Sequence, residues 1–484
     1  MKKFLLTIFC LGVICLQPVC AEKKFPIFFV GDPDSIYWVI IRDNSRKTVK
    51  FIPAVEQEKG KYIVVWDGTD YAGKNVVSGK YFVFISKGIE WTLDKSFGMN
   101  GRIGIFFKDF YLEAGVDHLG IQGEIISVSV KGVRYENTGD KIQGETGFII
   151  SDGKIKISRA RISDRDAVRV VYYYPFFLEN PWDLAIAPDG DIFVLLRMLE
   201  LKKGMYPGLL IKMKKDGRSK DINFGVDGEV PGVNRAHQVL VVPQDNRIYI
   251  AGSEYGTYGT GSYKLDSGAY WFYIGGHKDG GRHPATTWWP TGICIGEGNK
   301  IYIGDLKIYD RTKPMLEGYL YSANTDPYVI RPGPSMEKSS APDCFYRTGW
   351  NTGISKMRDT GSDVIEIYSL KLPFKTIGIS CDAKRSLIFA ASRMPEGFVS
   401  VIYDDGKSMR EITQLKDPEL GGIHTVRIFN DDLYVIEDGV SYTEDGYCAE
   451  EINKQPWTPK GKNRISRYRI NFGKEVFLQV LEKK

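Results

Sequence analysis

Short runs of alternating apolar and polar residues, parted by Gly, Asp, Asn and Pro, fill most of this chain. Successive side chains of a strand point to opposite faces, so a period of two predicts half-buried β-strands. Residues 35–43 form one such run and end in a turn at Asp43-Asn44-Ser45. Residues 61–66 and 81–85 form two more, with Gly68, Gly73 and Gly79 between them. β-Branched and aromatic residues set between such turns predict an antiparallel sandwich. Residues 104–107, 124–130, 148–151, 154–162 and 167–174 repeat the alternation, and Asp152-Gly153 is a hairpin signal. This middle stretch reads as a second small β-domain, or else as a divergent first member of the repeats that follow.

From residue 181 onward the chain repeats a unit of apolar strand, polar turn and second strand. Residues 181–194, 236–250, 290–303, 376–389 and 423–435 are five copies, in which Trp182, His237, Thr291, Ile377 and His424 take equivalent positions. The interval from Thr291 to Ile377 is nearly two units long. It holds either a sixth, degenerate unit near residues 332–372 or a long insertion containing Cys344. One unit cannot bury both faces of its sheet, whereas radial stacking buries them all. The predicted fold is therefore all-β: an N-terminal Ig-like β-sandwich, a second small β-region and a six-bladed β-propeller, with residues 464–470 closing the ring. The expected boundaries are 22–95, 96–176 and 177–484.

Composition agrees with many strands and tight turns: 484 residues include 52 Gly, 28 Tyr and 25 Phe. The chain is too long for one small core. Its net charge of +5 comes from 65 basic and 60 acidic residues, so no nucleic-acid partner is expected. Lys2 and Lys3, the apolar run 4–16 and the triplet Val19-Cys20-Ala21 read as a signal peptide over residues 1–21. The expectation is an exported protein, whether periplasmic, cell-surface or secreted. The apolar run falls short of the roughly 20 residues a spanning helix needs, and no later stretch is apolar enough to be a transmembrane segment. Cys294, Cys344, Cys381 and Cys448 remain after cleavage. The first and third of these lie in apolar strand patterns, which leaves Cys344 and Cys448 as the better disulfide candidates.

Two resemblances sharpen the picture. Trp66-Asp67-Gly68-Thr69-Asp70, Gly73 and Ser78-Gly79-Lys80-Tyr81 resemble the W-D-G-x-D-x-x-G…G-x-Y signature of FlgD-type immunoglobulin-like domains, over roughly residues 27–87. That resemblance implies a spacer or adhesive module and no catalysis. Units such as Pro181-Trp182-Asp183-Leu184-Ala185-Ile186-Ala187-Pro188-Asp189-Gly190 resemble NHL-type propeller blades. It covers the first two strands of each blade and implies an architecture without a specific activity.

In such a ring the first residues of each innermost strand gather at the mouth of the central channel. This would bring Trp182, Asp183, His237, Gln238, Thr291, His424 and Thr425 together. His237 and His424 with Asp183 could act as acid–base groups, and the two imidazoles could hold a divalent metal, although no cofactor is firmly implied. The competing reading is that each His merely caps its strand. A second constellation comprises His277, His283, Trp288 and Trp289, with Tyr270, Trp271 and Tyr273 upstream. Aromatic faces beside polar groups suit a carbohydrate ligand, and a protein ligand is equally admissible. With Trp182 and Gln238 these four are the expected ligand contacts. The weight falls on a binding or scaffold protein, with a lyase- or lactonase-like channel enzyme as the alternative.

Overall fold

A computed structural model describes residues 24–483, except 99–100, 104, 112–118, 121–123, 132, 152–153, 159, 161, 164–165, 174–180, 198–207, 227–228, 232, 234–235, 255–256, 276–290, 305, 315–316, 324–334, 350–352, 377, 395 and 439–462. The expected signal peptide lies outside them. Among the described residues the chain is strand and turn, apart from a 3-10 turn at Pro243–Asp245.

Five four-stranded sheets and a sixth of five strands form the propeller, each strand antiparallel to the next. The innermost strands are Pro181–Ile186, Gln238–Val242, Ile293–Ile295, Met336–Lys338, Ile379–Asp382 and Thr425–Phe429. The degenerate interval is thus a true fourth blade, built from Met336–Lys338, Cys344–Gly349, Gly353–Asp359 and Val364–Leu370. Apolar side chains fill every gap between neighbours. Tyr302 of the third blade stacks on Phe345 of the fourth at 4.6 Å, and Leu184 of the first packs with Tyr434 and Ile436 of the sixth. The second contact closes the circle.

Three strands cross the expected boundaries, and one of them, Arg102–Ile103, assigned above to the second β-region, pairs with Asn463–Asn471 of the sixth blade. Glu90–Leu93, assigned above to the sandwich, is the outermost strand of the sixth blade, paired with Asn463–Asn471. Val476–Lys483, assigned above to the propeller, joins Thr48–Pro53, Tyr37–Arg42 and Gly79–Lys87 as the fourth strand of a sandwich sheet. The other sandwich sheet is Phe25–Val30, Lys61–Trp66 and Val55–Glu58. Trp38, Ile40 and Phe51 of the sandwich share one apolar cluster with Phe389, Val401 and Val435 of the fifth and sixth blades. The module implied to be a spacer is therefore packed onto the ring. Residues 105–173 make a seven-stranded sheet with its own core around Val128, Phe148, Ile155 and Val168, and are not a blade.

Cys344 does not behave as its polar neighbours suggest. It begins a strand, is 4% exposed, and packs with Tyr302 and Phe345 as a free thiol. Its proposed partner, Cys448, lies outside the described residues.

Paired polar staples lock three blades at the end of the ring opposite the channel mouth. Asp404 of the fifth blade accepts from Tyr346, from Tyr368 at 2.6 Å and from Lys356 at 2.6 Å, all of the fourth. Asp359 of the fourth blade accepts from Tyr302 at 2.8 Å, from Tyr321 and from Lys300 at 2.7 Å, all of the third. Each aspartate also accepts the amide of the glycine two residues on.

Two outcomes are expected. Asp404→Ala strands the buried Lys356 ammonium and should cost roughly 3–5 kcal/mol in denaturant unfolding. Removing residues 476–484 should lower the melting temperature of sandwich and ring together, as one circular-dichroism transition. Two separate transitions would show that the shared cluster does not couple them.

Candidate functional site at the mouth of the propeller channel

The inner strands run in one sense, so their first residues meet at one end of the axis. Trp182, His237 and His424 do meet there. The Trp182 ring lies 4.0 Å from that of His424 and 6.0 Å from that of His237, centroid to centroid. The histidines occupy the same step of their blades. The His237 amide donates to Ala251 O at 2.7 Å, and the His424 amide to Ile436 O at 2.8 Å. Trp182 and His237 are half-buried, and His424 is buried.

One residue further in, the expected chemistry gives way to architecture. An innermost strand is a sheet edge, and its axial amides need acceptors. Asp183 Oδ2 accepts the Val239 amide at 2.9 Å, and Gln238 Oε1 accepts the Ile293 amide at 2.9 Å. Gln238 also reaches across the axis, accepting the Met336 amide at 3.2 Å and donating to Met336 O at 3.0 Å. Ser380 Oγ accepts the Ile428 amide at 3.0 Å. Each of these side chains bonds the inner strand of the following blade, and Gln238 the fourth as well.

Arg427 completes the set. It donates to Asp183 Oδ2 at 2.8 Å, to Ile379 O at 2.6 Å and to Leu184 O at 3.2 Å. Asp183, proposed above as an acid–base group, is 1% exposed and held by this network. Burial pushes its carboxyl up, against the pull of Arg427 and the Val239 amide. Gln238, proposed above as a ligand contact, is likewise 1% exposed and spent on backbone. Thr291 and Thr425 are buried too. Among the described residues no group of three or more His, Cys, Asp or Glu side chains is placed to hold a metal ion. His277, His283, Trp288 and Trp289 lie outside the described residues.

Sequence reasoning missed Glu337. Its Oε1 lies 3.3 Å from Arg427 Nη1, and its side chain is 22% exposed. Burial pushes its carboxyl up to about 7; Arg427 pulls it down and Asp183 adds to the rise. The signal was hidden because the fourth blade's repeat pattern is too eroded to align.

A cavity of about 900 Å³ opens on the fifth blade. Met394, Phe398, Pro418 and Leu420 supply apolar walls, and Glu396 and Lys416 supply charge. Its two walls are the connection preceding Phe398–Asp404 and the one following Met409–Lys416. Both leave the blade at the end that carries Trp182. Gly397 is required here, because a Cβ would fall 1.7 Å from Gly421 O on the facing wall. Lys416 Nζ stands 5.7 Å from the Phe398 ring. Trp91 Nε1 donates to Lys416 O at 3.2 Å, so the strand lent by the N-terminal part of the chain supports this wall.

Comparison with known proteins adds the following. Residues 33–88 match the family model of the FlgD Ig-like domain. No curated protein matches the chain. Among solved structures, the WD40 repeats of RRP9 align with 61% of this chain and 96% of their own, at 11% identity and a TM-score of 0.42. The β-propeller domain of Cps50 (Swd1) from Myceliophteria thermophila aligns with 62% of this chain and 87% of its own, at 9% identity and a TM-score of 0.41. A structural genomics protein of unknown function from Bacteroides thetaiotaomicron covers 94% of this chain and 99% of its own, at 11% identity and a TM-score of 0.39.

Glu337 makes stability depend on pH. Its carboxyl ordinarily titrates at 4.5 and in the fold at about 7, so the folded chain keeps a proton that the unfolded chain releases. Its contribution is present at lower pH and is lost as pH rises through that window. Glu337→Gln should flatten the fall in melting temperature between about pH 5 and about pH 7.5. An unchanged slope would assign the dependence to other groups.

Proposed function

We propose that the protein is an exported binding or scaffold protein whose ligand, a protein or a glycan, docks on the propeller face carrying Trp182 and the fifth-blade cavity. The blades are read as NHL-type, and export rests on the signal-peptide pattern of residues 1–21. The observation that carries the reading is the cavity of about 900 Å³, lined by both apolar and charged side chains. Such a lining suits a partly apolar ligand held by a few polar contacts. The network around Asp183 supports the same reading, since it commits to the ring the carboxylate that channel chemistry would need.

A channel enzyme remains the second reading, and Glu337 is what favours it. A partly exposed carboxyl titrating near neutrality beside Arg427 has the character of an acid–base group.

Pull-down and glycan-array screening with the purified protein would identify the ligand. Phe398→Ala and Lys416→Glu should each weaken its capture by about tenfold, the loss expected for a buried contact at a binding centre. Thermal melts of both variants separate lost contact from lost folding. Full binding by two folded variants would move the site elsewhere, and turnover abolished by Glu337→Gln would establish the enzyme.

A further inference from the structure

The second blade carries an aromatic surface at the opposite end of the ring. Its outermost strand, Tyr270–Ile274, exposes Tyr270 and Trp271, each about half accessible. Tyr263 pairs with Tyr270 and Ser262 with Phe272, which makes Trp271 the extra residue of a β-bulge. Arg247 and Lys264 are register partners on the two neighbouring strands. The Arg247 guanidinium lies 4.6 Å from the centre of the Trp271 ring, and Lys264 Nζ lies 5.3 Å from it. One row across three strands thus presents cation, cation and indole.

Among the described residues neither cation is paired with a carboxylate. Asp245 is held by the Arg311 guanidinium, and Asp266 is turned to Ser267 and Asn246. Arg247 makes a hydrogen bond to Asn246 O at 3.1 Å. A structural indole on a blade would be sealed against its neighbour, yet Trp271 is 50% exposed.

We propose that this corner of the second blade is a binding subsite for acidic saccharides. With Arg247 over one face of the indole, the other face offers a flat apolar surface for the C–H face of a sugar ring. Arg247 and Lys264 supply the charge for its carboxylate or sulfate, Arg through its forked donors and Lys as a point charge. An acidic peptide fits less well. It would bind such an edge by strand addition, and the bulge at Trp271 twists the edge away from that pairing. The subsite is remote from the fifth-blade cavity, so it stands or falls independently of that cavity's ligand.

The test is isothermal titration of the full chain with an oligogalacturonate, with cellohexaose as the neutral counterpart and polyglutamate as the acidic peptide. The oligogalacturonate should bind, more weakly as salt rises, and cellohexaose should bind far less. Trp271→Ala should weaken binding by about tenfold or more, Trp271→Phe should keep most of it, and the pair Arg247→Gln with Lys264→Gln should abolish the preference for acid. Melting temperatures should stay unchanged, because all three side chains lie outside the core. Three results would overturn the proposal: no oligogalacturonate binding, binding indifferent to these variants, or polyglutamate binding with the same dependence on Trp271. The last would make the row an acidic-peptide surface.

Discussion

The innermost strand of every blade is a sheet edge, and the satisfaction of that edge organises the propeller. Water could serve these amides only in an open, hydrated channel. Here side chains serve them instead. Asp183 takes the Val239 amide, Gln238 takes those of Ile293 and Met336, and Ser380 takes that of Ile428. Arg427 binds carbonyls of the first and fifth blades at once and neutralises Asp183 between them. A polar group in this position must be paired, since an unpaired one in so dry a place is costly. This explains why the residues best suited to chemistry on paper are the ones least available for it.

Much of the sandwich was legible because its determinants are local. Trp66 is fully buried, and its Nε1 donates to Thr69 O at 2.9 Å. Asp67 accepts the Thr69 amide at 3.0 Å and Asp70 the Ala72 amide at 2.9 Å, as their turn positions require. Gly68 and Gly73 adopt φ of 76° and 74°. The alternation in the strand Lys154–Ile157 likewise held, with Ile155 and Ile157 buried. Repeat spacing located five blades and left room for the sixth.

What could not be read depends on partners distant in sequence. Nothing in residues 90–93 says that they will pair with residues 468–471, and nothing in 476–483 says that they will pair with 79–85. Alternation assigns a residue to a face of its strand without saying which strand lies beside it. The same gap hid the Glu337–Arg427 contact. It also misjudged Asp183 and Gln238, whose position at the axis was foreseen while their backbone partners were not.

The crossed ends of the chain have a consequence for biosynthesis. The sandwich strands precede every blade in the chain, yet the edge of Gly79–Lys87 stays bare until residues 476–483 arrive. Glu90–Leu93, in turn, stays unpaired until Asn463–Asn471 of the last blade arrives. A product interrupted anywhere between them carries open edges at both places, ready for a protease or a chaperone. The sandwich sheet and the sixth blade are thereby completed together, once residues 463–483 have been made.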